Sequence, residues 1–349
     1  MVNVLVAMSG GVDSSVAAAL MKAEGHDVIG VTLKLWSGPD GELPTAGCCT
    51  VSDAEDARRV AAQLDIPYYV LDYTDDFSFG VIDRFVDDYR HGRTPNPCVE
   101  CNRTVKFSRL LAQASDFGCD VVATGHYART GSQGGLHRLS RGVDRDKDQS
   151  YVLSMLGQAE LSRVRFPVGA LDKAGTRRIA ADLGLRTATK RESMDICFVG
   201  ARDYRSFLRD HAGVEDAPGP IVDLGGRTLA RHRGITGFTV GQRRGLGVAV
   251  GEPQYVVDVR PETATVVIGP KQALEITGVE VTRQTSVSGS PVQGRVLAQY
   301  RAHGEAVPVE VDGADVRFES PQCAVAPGQT IAFYRDDEVL GSAIISTVR

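Results

Sequence analysis

The stretch that most constrains this chain lies at its start. Residues 3–8 read NVLVAM, a short apolar run, and SGGVDSS follows at once, leading into an alanine-rich segment with helical spacing to about Glu24. That order is strand, glycine turn, helix. In such a turn the small residues let backbone N–H groups approach a ligand closely while the helix N-terminus adds partial positive charge, so the segment is a cradle for an anion. No lysine follows the second glycine at the spacing of GxxxxGK[ST], which excludes the common nucleoside-triphosphatase loop.

Further strands are predicted over 27–35, 68–71 and 120–124, the last running into Gly125 and His126. Ser52 with Glu55 reads as a capping box opening a helix to Leu64, and helical patterns cover 77–89 and 105–114. The alternation implies an α/β domain with a parallel sheet and helices on both faces. After about residue 210 the texture changes: apolar segments at 255–259, 264–268, 294–299 and 329–334 alternate with Gly, Pro and Asp turns, the pattern of an all-β half. A split near 271–278 divides that half in two. For 349 residues this gives three expected domains: 1–208, 209–275 as a small β-rich connector, and 276–349 as a β-barrel.

Charge limits the partners. With 39 basic and 44 acidic residues the net charge is -5, so nucleic acid cannot be wrapped wholesale and any contact must use local patches. Residues 40–88 hold twelve acidic and three basic side chains, whereas 224–251 holds Arg227, Arg231, Arg233, Arg243 and Arg244 and no acid. The second stretch is the better polyanion surface; the plainer alternative is a solvated face without a partner. No apolar run approaches the ~20 residues that span a bilayer, and no basic segment precedes an apolar leader, so a cytoplasmic protein, monomeric and without a membrane partner, is expected. Of the seven cysteines, Cys98-x-x-Cys101 suggests redox, metal or sulfur chemistry, while Cys48, Cys49, Cys119 and Cys323 read as small buried hydrophobes.

Ser9-Gly10-Gly11-Val12-Asp13-Ser14 resembles the PP-loop of ATP pyrophosphatases, enzymes that split ATP between the α and β phosphates and adenylate a carbonyl oxygen. One superfamily hosts amide synthesis, ring amination and sulfur insertion, so the loop alone does not choose. The cysteine motifs do. Arg93-Thr94-Pro95-Asn96-Pro97-Cys98-Val99-Glu100-Cys101-Asn102 with Lys106-Phe107 is similar to the loop bearing the catalytic cysteine of tRNA-uridine 2-sulfurtransferases, the MnmA family. Ala123-Thr124-Gly125-His126-Tyr127, Lys147-Asp148-Gln149-Ser150-Tyr151, Asp195-Ile196-Cys197-Phe198-Val199-Gly200, Gly241-Gln242-Arg243-Arg244-Gly245-Leu246-Gly247 and Pro327-Gly328-Gln329 match that family in order along nearly the whole chain.

The resemblance implies an enzyme that activates O2 of the wobble uridine of tRNA with ATP and magnesium and replaces it with sulfur. It places ATP against Ala7, Met8, Ser9, Gly10, Gly11, Val12, Asp13, Ser14, Leu33 and Gly125, makes Cys101 the nucleophile and makes Cys197 the persulfide carrier. The persulfide sulfur then either attacks the adenylated carbon directly or is released when a second thiolate forms a disulfide with Cys197. Tyr300 and Gln299, with Asn96, Pro97, Cys98, Lys147, Asp148 and Gln149, fall at tRNA-facing positions, and His126 and Gln329 at further functional ones. Sulfur would come from a cysteine desulfurase or a sulfur-relay protein. Two departures stand out: Cys98 replaces a common Asp, and Gln299 replaces the usual Arg, leaving Arg301 as a substitute contact. Cys98, Cys101 and Cys197 could alternatively ligate a 4Fe-4S cluster with one iron open to sulfide.

Overall fold

The computed structural model describes residues 1–37, 50–190, 197–199, 204–212 and 218–349; Cys48, Cys49, Asp195, Ile196 and Gly200 lie outside them. The first unit is a five-stranded sheet in the order β3-β2-β1-β4-β7, from β1 (Asn3–Ala7), β2 (Asp27–Lys34), β3 (Tyr68–Asp72), β4 (Val121–Thr124) and β7 (Val164–Arg165). Every pairing in it is parallel. Period-two alternation in β1 sends Val4 and Val6 to one face, against Val16 and Ala17 of helix α1 (Val12–Ala23), and Leu5 to the other, against Phe77, Phe85 and Phe107. The chain leaves β1 towards β2 on one side and has β4 on the other, so a crevice opens at the carboxyl ends of β1 and β4, where such sheets bind ligands.

Helix α2 (Val51–Gln63) corrects the expected cap. Thr50, not Ser52, is the N-cap: its Oγ1 accepts from Asp53 N at 3.1 Å while Asp53 Oδ2 accepts from Thr50 N at 3.0 Å. The box is shifted two residues because Asp at the third helical position closes it as well as Glu does; Glu55 instead binds Arg58 and Arg59. The pattern expected over 77–89 runs from Thr74 to Arg90, with wide π-helical turns at Ser78–Ile82.

A hairpin absent from the sequence reading, β5 (Ala128–Gln133) and β6 (Leu136–Arg141), leaves the first unit and pairs through Ser140 with Glu338 of the C-terminal unit. The middle strands β8 (Gly219–Val222), β9 (Thr228–His232), β10 (Tyr255–Arg260) and β11 (Thr265–Gly269) form a sheet ordered β10-β11-β8-β9, with β8 and β11 parallel. Strand β11 starts one residue later than expected because Ala264 takes a left-handed φ of 49° in the turn.

Six strands then close a barrel: β12 (Glu275–Ser286), β13 (Gly294–Gln299), β14 (Val307–Asp312), β15 (Asp315–Cys323), β16 (Thr330–Arg335) and β17 (Glu338–Val348). The order β12-β15-β14-β13-β16-β17 returns to β12 through a β12–β17 ladder. Barrel residues Ala332, Tyr334 and Val339 share the first unit's core with Leu139 and Tyr151, so the two units are packed together. No helix among the described residues is long and apolar enough to cross a membrane.

Candidate active site

A cavity of about 360 Å³ occupies the crevice. Its phosphate-loop wall is Ala7, Met8, Ser9, Gly11, Val12, Asp13 and Ser14, with Leu33 and Gly125 beside them. Gly10 does not line it. Its φ of 71° turns the loop, and a Cβ there would fall 2.1 Å from Asp53 O, so the loop lies directly on the start of α2. Gly125 explains how β4 reaches the same point: a Cβ would stand 2.6 Å from Ser14 N and 2.7 Å from the Asp13 carbonyl carbon. Only glycine lets the strand end touch the first turn of α1.

The loop has no lysine of its own, and the fold delivers two from elsewhere. Lys173, at the start of the Lys173–Asp182 helix, places Nζ 2.8 and 2.9 Å from the Asp13 carboxylate oxygens. Asp13 Oδ1 also accepts from the Tyr127 hydroxyl at 2.7 Å, and burial keeps that phenol's pKa raised, hence protonated. Lys190 donates to Gly10 O at 3.0 Å and to Asp53 and Asp56 at 2.7 Å each. Burial opposes its charge, but the two carboxylates outweigh burial and raise its pKa; Asp53 in turn is held below the usual carboxylate range, Lys190 and Thr50 overcoming the cost of its burial. Lys173, Lys190 and Asp53 all line the cavity, and sequence reasoning missed them. The missing lysine in the loop was the available signal for the first two; the misplaced cap hid Asp53.

The opposite wall carries sulfur. Pro97, Cys98 and Cys101 line it from a short helix, Pro97–Cys101. Asn96 caps that helix, its Oδ1 accepting from Cys98 N at 3.1 Å and Val99 N at 3.2 Å, and Pro97 occupies the first position, where its missing N–H costs nothing. Cys101 is buried and Cys98 exposed. Cys197 lines the same cavity from a turn anchored by Phe198, whose ring packs against Phe77, Phe85 and Phe207 at 5.0–5.7 Å. Cys98, Cys101 and Cys197 thus share one cavity wall, and among the described residues no group of three His, Cys, Asp or Glu side chains is placed as metal ligands would be.

His126 sits between the two walls. Its Nδ1 is 2.7 Å from Thr124 Oγ1, and its ring lies 6.0 Å from those of Phe107 and Phe166. Burial, helped by Lys106, pulls its pKa down to about 3, leaving a neutral imidazole on the cavity wall.

Lys147 and Gln149 also reach the cavity, and Gln149 Oε1 accepts from Tyr127 N at 2.9 Å. Asp148 between them points inward, bound to Arg141 at 2.8 Å, Gly142 N at 3.0 Å and Ser150 Oγ at 2.9 Å. The barrel positions stay outside the cavity. Gln299 is 3% exposed and donates to Arg301 O and Ala302 O; Tyr300 donates to Gln322 Oε1 at 2.9 Å; Gln329 accepts from Ala326 N. Arg301, the expected substitute for the lost charge, donates to Cys323 O and Ala324 O. Cys119 is buried as expected, and Cys323 is half-buried.

Comparison with known proteins agrees along the chain. Family models described as a tRNA methyl transferase HUP domain, a tRNA methyl transferase PRC-barrel domain and an aminomethyltransferase β-barrel domain match residues 2–201, 205–270 and 277–345. The tRNA-specific 2-thiouridylase MnmA of Roseiflexus castenholzii is 49% identical, covering 99% of this chain and 100% of the relative. The proteins of the same name from Chloroflexus aurantiacus and Geobacter metallireducens are 51% and 48% identical, covering 99% and 98% of this chain and 99% and 96% of theirs. With that identity held from end to end, and with the phosphate loop and both cysteines on one cavity, the chain belongs to the MnmA family of tRNA-specific 2-thiouridylases.

Proposed function

We propose that this chain is a tRNA-uridine 2-sulfurtransferase that uses ATP to thiolate the wobble uridine. One observation carries the reading: a single cavity is walled on one side by the phosphate loop and on the other by Cys101 and Cys197. The loop N–H groups and the α1 N-terminus hold the phosphates; Lys173 and Lys190 supply the positive charge that the loop lacks. Asp13, on the cavity wall, is an oxygen donor suited to the magnesium that accompanies ATP and offsets the charge of the departing pyrophosphate. O2 of an unstacked uracil attacks the α-phosphorus, pyrophosphate leaves, and C2 becomes electrophilic.

Cys197, loaded as a persulfide by a cysteine desulfurase or relay protein, then provides sulfur. Its terminal sulfur attacks C2 and AMP departs with the former O2; the Cys101 thiolate next attacks Cys197 Sγ, breaking the S–S bond, releasing 2-thiouridine and leaving a Cys101–Cys197 disulfide for an external dithiol to reduce. Attack by Cys101 before transfer, releasing hydrosulfide onto C2, gives the same products. His126 enters neither proton balance as an acid at neutral pH; as a neutral ring it donates or accepts one hydrogen bond to the base or phosphate. Lys147, Gln149 and the exposed Arg243 and Arg244 are the contacts we assign to the anticodon arm, with Tyr300 on the barrel. Protein acting as a cytoplasmic monomer completes the reading.

The test is nucleoside mass spectrometry of tRNA from a strain with and without this chain. Loss of 2-thiouridine on deletion and its return on complementation is expected; unchanged 2-thiouridine overturns the reading. Thiolation by iron-free Cys98→Asp protein is expected as well, whereas strict dependence on reconstituted iron and on Cys98 would install the cluster in place of the persulfide.

A further inference from the structure

Next to Cys101 in the chain, but turned away from the cavity, Glu100 is buried with only 10% of its side chain exposed. Three guanidiniums surround it. Arg84 donates to Oε2 at 2.7 Å, Arg103 Nε stands 3.6 Å from Oε1, and Arg283 Nη1 stands 3.5 Å from the same oxygen. Arg84 and Arg103 belong to the α/β unit, whereas Arg283 reaches over from β12 of the barrel, at a register shift between Thr282 and Thr285 and with a left-handed φ of 50°. A non-glycine residue in that conformation is strained unless its surroundings hold it there.

A structural ion pair would need one arginine, and Arg84 alone makes the short bond. The other two lie beyond hydrogen-bond distance of the carboxylate; Arg103 reaches Thr285 Oγ1 at 3.4 Å, and its buried Nε has no hydrogen-bond partner. Burial pulls the Arg103 pKa below its ordinary value against the pull of Glu100, with Arg283 and Arg84 adding smaller contributions in the same direction as burial. Three guanidiniums on one carboxylate leave a surplus of positive charge in a protein whose net charge is -5. The side chains of Arg84 and Arg283 are 45% and 41% exposed, so that surplus faces solvent along the seam between the two units.

We propose that Arg84, Arg103 and Arg283 form a phosphodiester-binding site for the tRNA backbone, completed only when the barrel is docked on the α/β unit. Guanidiniums suit the ligand, since their planar N–H groups bind phosphate oxygens in pairs. The helix Pro97–Cys101 fixes the site beside the sulfur wall, which suits a phosphate close to a base drawn into the cavity. Glu100 holds the cluster together in the free protein. The inference rests on tRNA being the substrate, as proposed above.

The test is tRNA affinity from 50 to 300 mM KCl for the full-length chain and its Arg84→Gln/Arg283→Gln and Glu100→Gln variants. The double variant is expected to bind roughly ten-fold more weakly at low salt and to lower the slope of log affinity against log salt by about 1 to 2, while keeping its ATP affinity. Glu100→Gln, which removes the competing carboxylate, should bind tRNA a few-fold more tightly; a merely structural cluster gives no such gain. Should Glu100→Gln fail to fold, the double variant decides alone. An unchanged slope in the double variant overturns the site, as does loss only of inorganic-phosphate binding, or only of sulfur-donor binding, with the tRNA slope intact. Wild-type protein that shows no salt-dependent tRNA binding would instead count against the proposed function itself.

Discussion

The phosphate wall of the cavity is nearly all local: one strand, one turn and one helix, touched by Gly125, with its two lysines already paired to Asp13 and to Asp53 and Asp56. The sulfur wall is assembled from distant parts. Cys101 rides on a capped short helix and Cys197 on a turn pinned by four phenylalanines, while the Lys147–Gln149 turn is held by Asp148 and by Arg141, whose guanidinium lies 3.8 Å over the Tyr334 ring of the barrel. A local wall forms whenever the sheet folds. A composite wall requires the barrel to be docked, so damage to the two walls should show differently in binding and in chemistry.

The largest contrast is expected from the cysteines. Cys101→Ser and Cys197→Ser should each lower thiolated tRNA by more than about a hundred-fold, read as lost retardation in a mercury gel, because a serine hydroxyl neither carries a persulfide nor forms a disulfide. ATP affinity should stay near wild type; substantial thiolation by either variant would end the persulfide route. On the other wall Asp13→Ala should weaken ATP binding and turnover by roughly ten- to a hundred-fold and leave Cys197 able to accept a persulfide. Equal loss of persulfide loading would erase the distinction between the walls.

Gly125→Ala sharpens it further. Its new methyl would meet Ser14 N and Asp13 backbone, so α1 and β4 must part, with ATP affinity falling about ten-fold and stability by about 1–3 kcal/mol. Wild-type ATP affinity and melting in that variant would show that the loop tolerates displacement. Lys173→Met leaves the Asp13 charge with Tyr127 as its remaining side-chain partner among the described residues; because Asp13 is 30% exposed, a loss of only about 1–2 kcal/mol is expected by thermal melting. Near neutral pH the smallest effect is that of His126, and it grows only as the solution is acidified. The folded His126 pKa near 3 lies below the unfolded value of 6.5, so the unfolded chain takes up a proton that the folded chain refuses, and stability falls as pH drops from about 6.5 towards 3. Between pH 7 and 8 His126 should contribute nothing; an imidazole NMR titration near pH 6.5 in the folded protein would contradict the neutral ring.

The same division explains what could be read before the structure. NVLVAM-SGGVDSS displays the phosphate wall because each residue acts within a few positions of its neighbours, and Gly125 is legible at the end of a strand. Lys173 and Lys190 carry no local mark, since the fold brings each to the loop from far along the chain. Asp148 shows the reverse error: its motif suggests an outward contact, yet Arg141, Gly142 and Ser150 turn it inward. Gln299 is likewise spent on its own turn. The β5–β6 hairpin escaped because ARTGSQ and LHRLSR lack an apolar alternation strong enough to read; their pairing with the barrel supplies what the pattern does not.

Separation of activation from sulfur transfer is tested most directly by a single-turnover assay of Cys101→Ser/Cys197→Ser protein with magnesium, ATP labelled at the α-phosphate, and tRNA lacking the modification. Pyrophosphate release at up to about one per enzyme–tRNA complex, with the label on tRNA and no 2-thiouridine formed, is the predicted result. Absence of ATP cleavage in a variant that still binds ATP and tRNA, or thiolation despite the missing thiols, would contradict it.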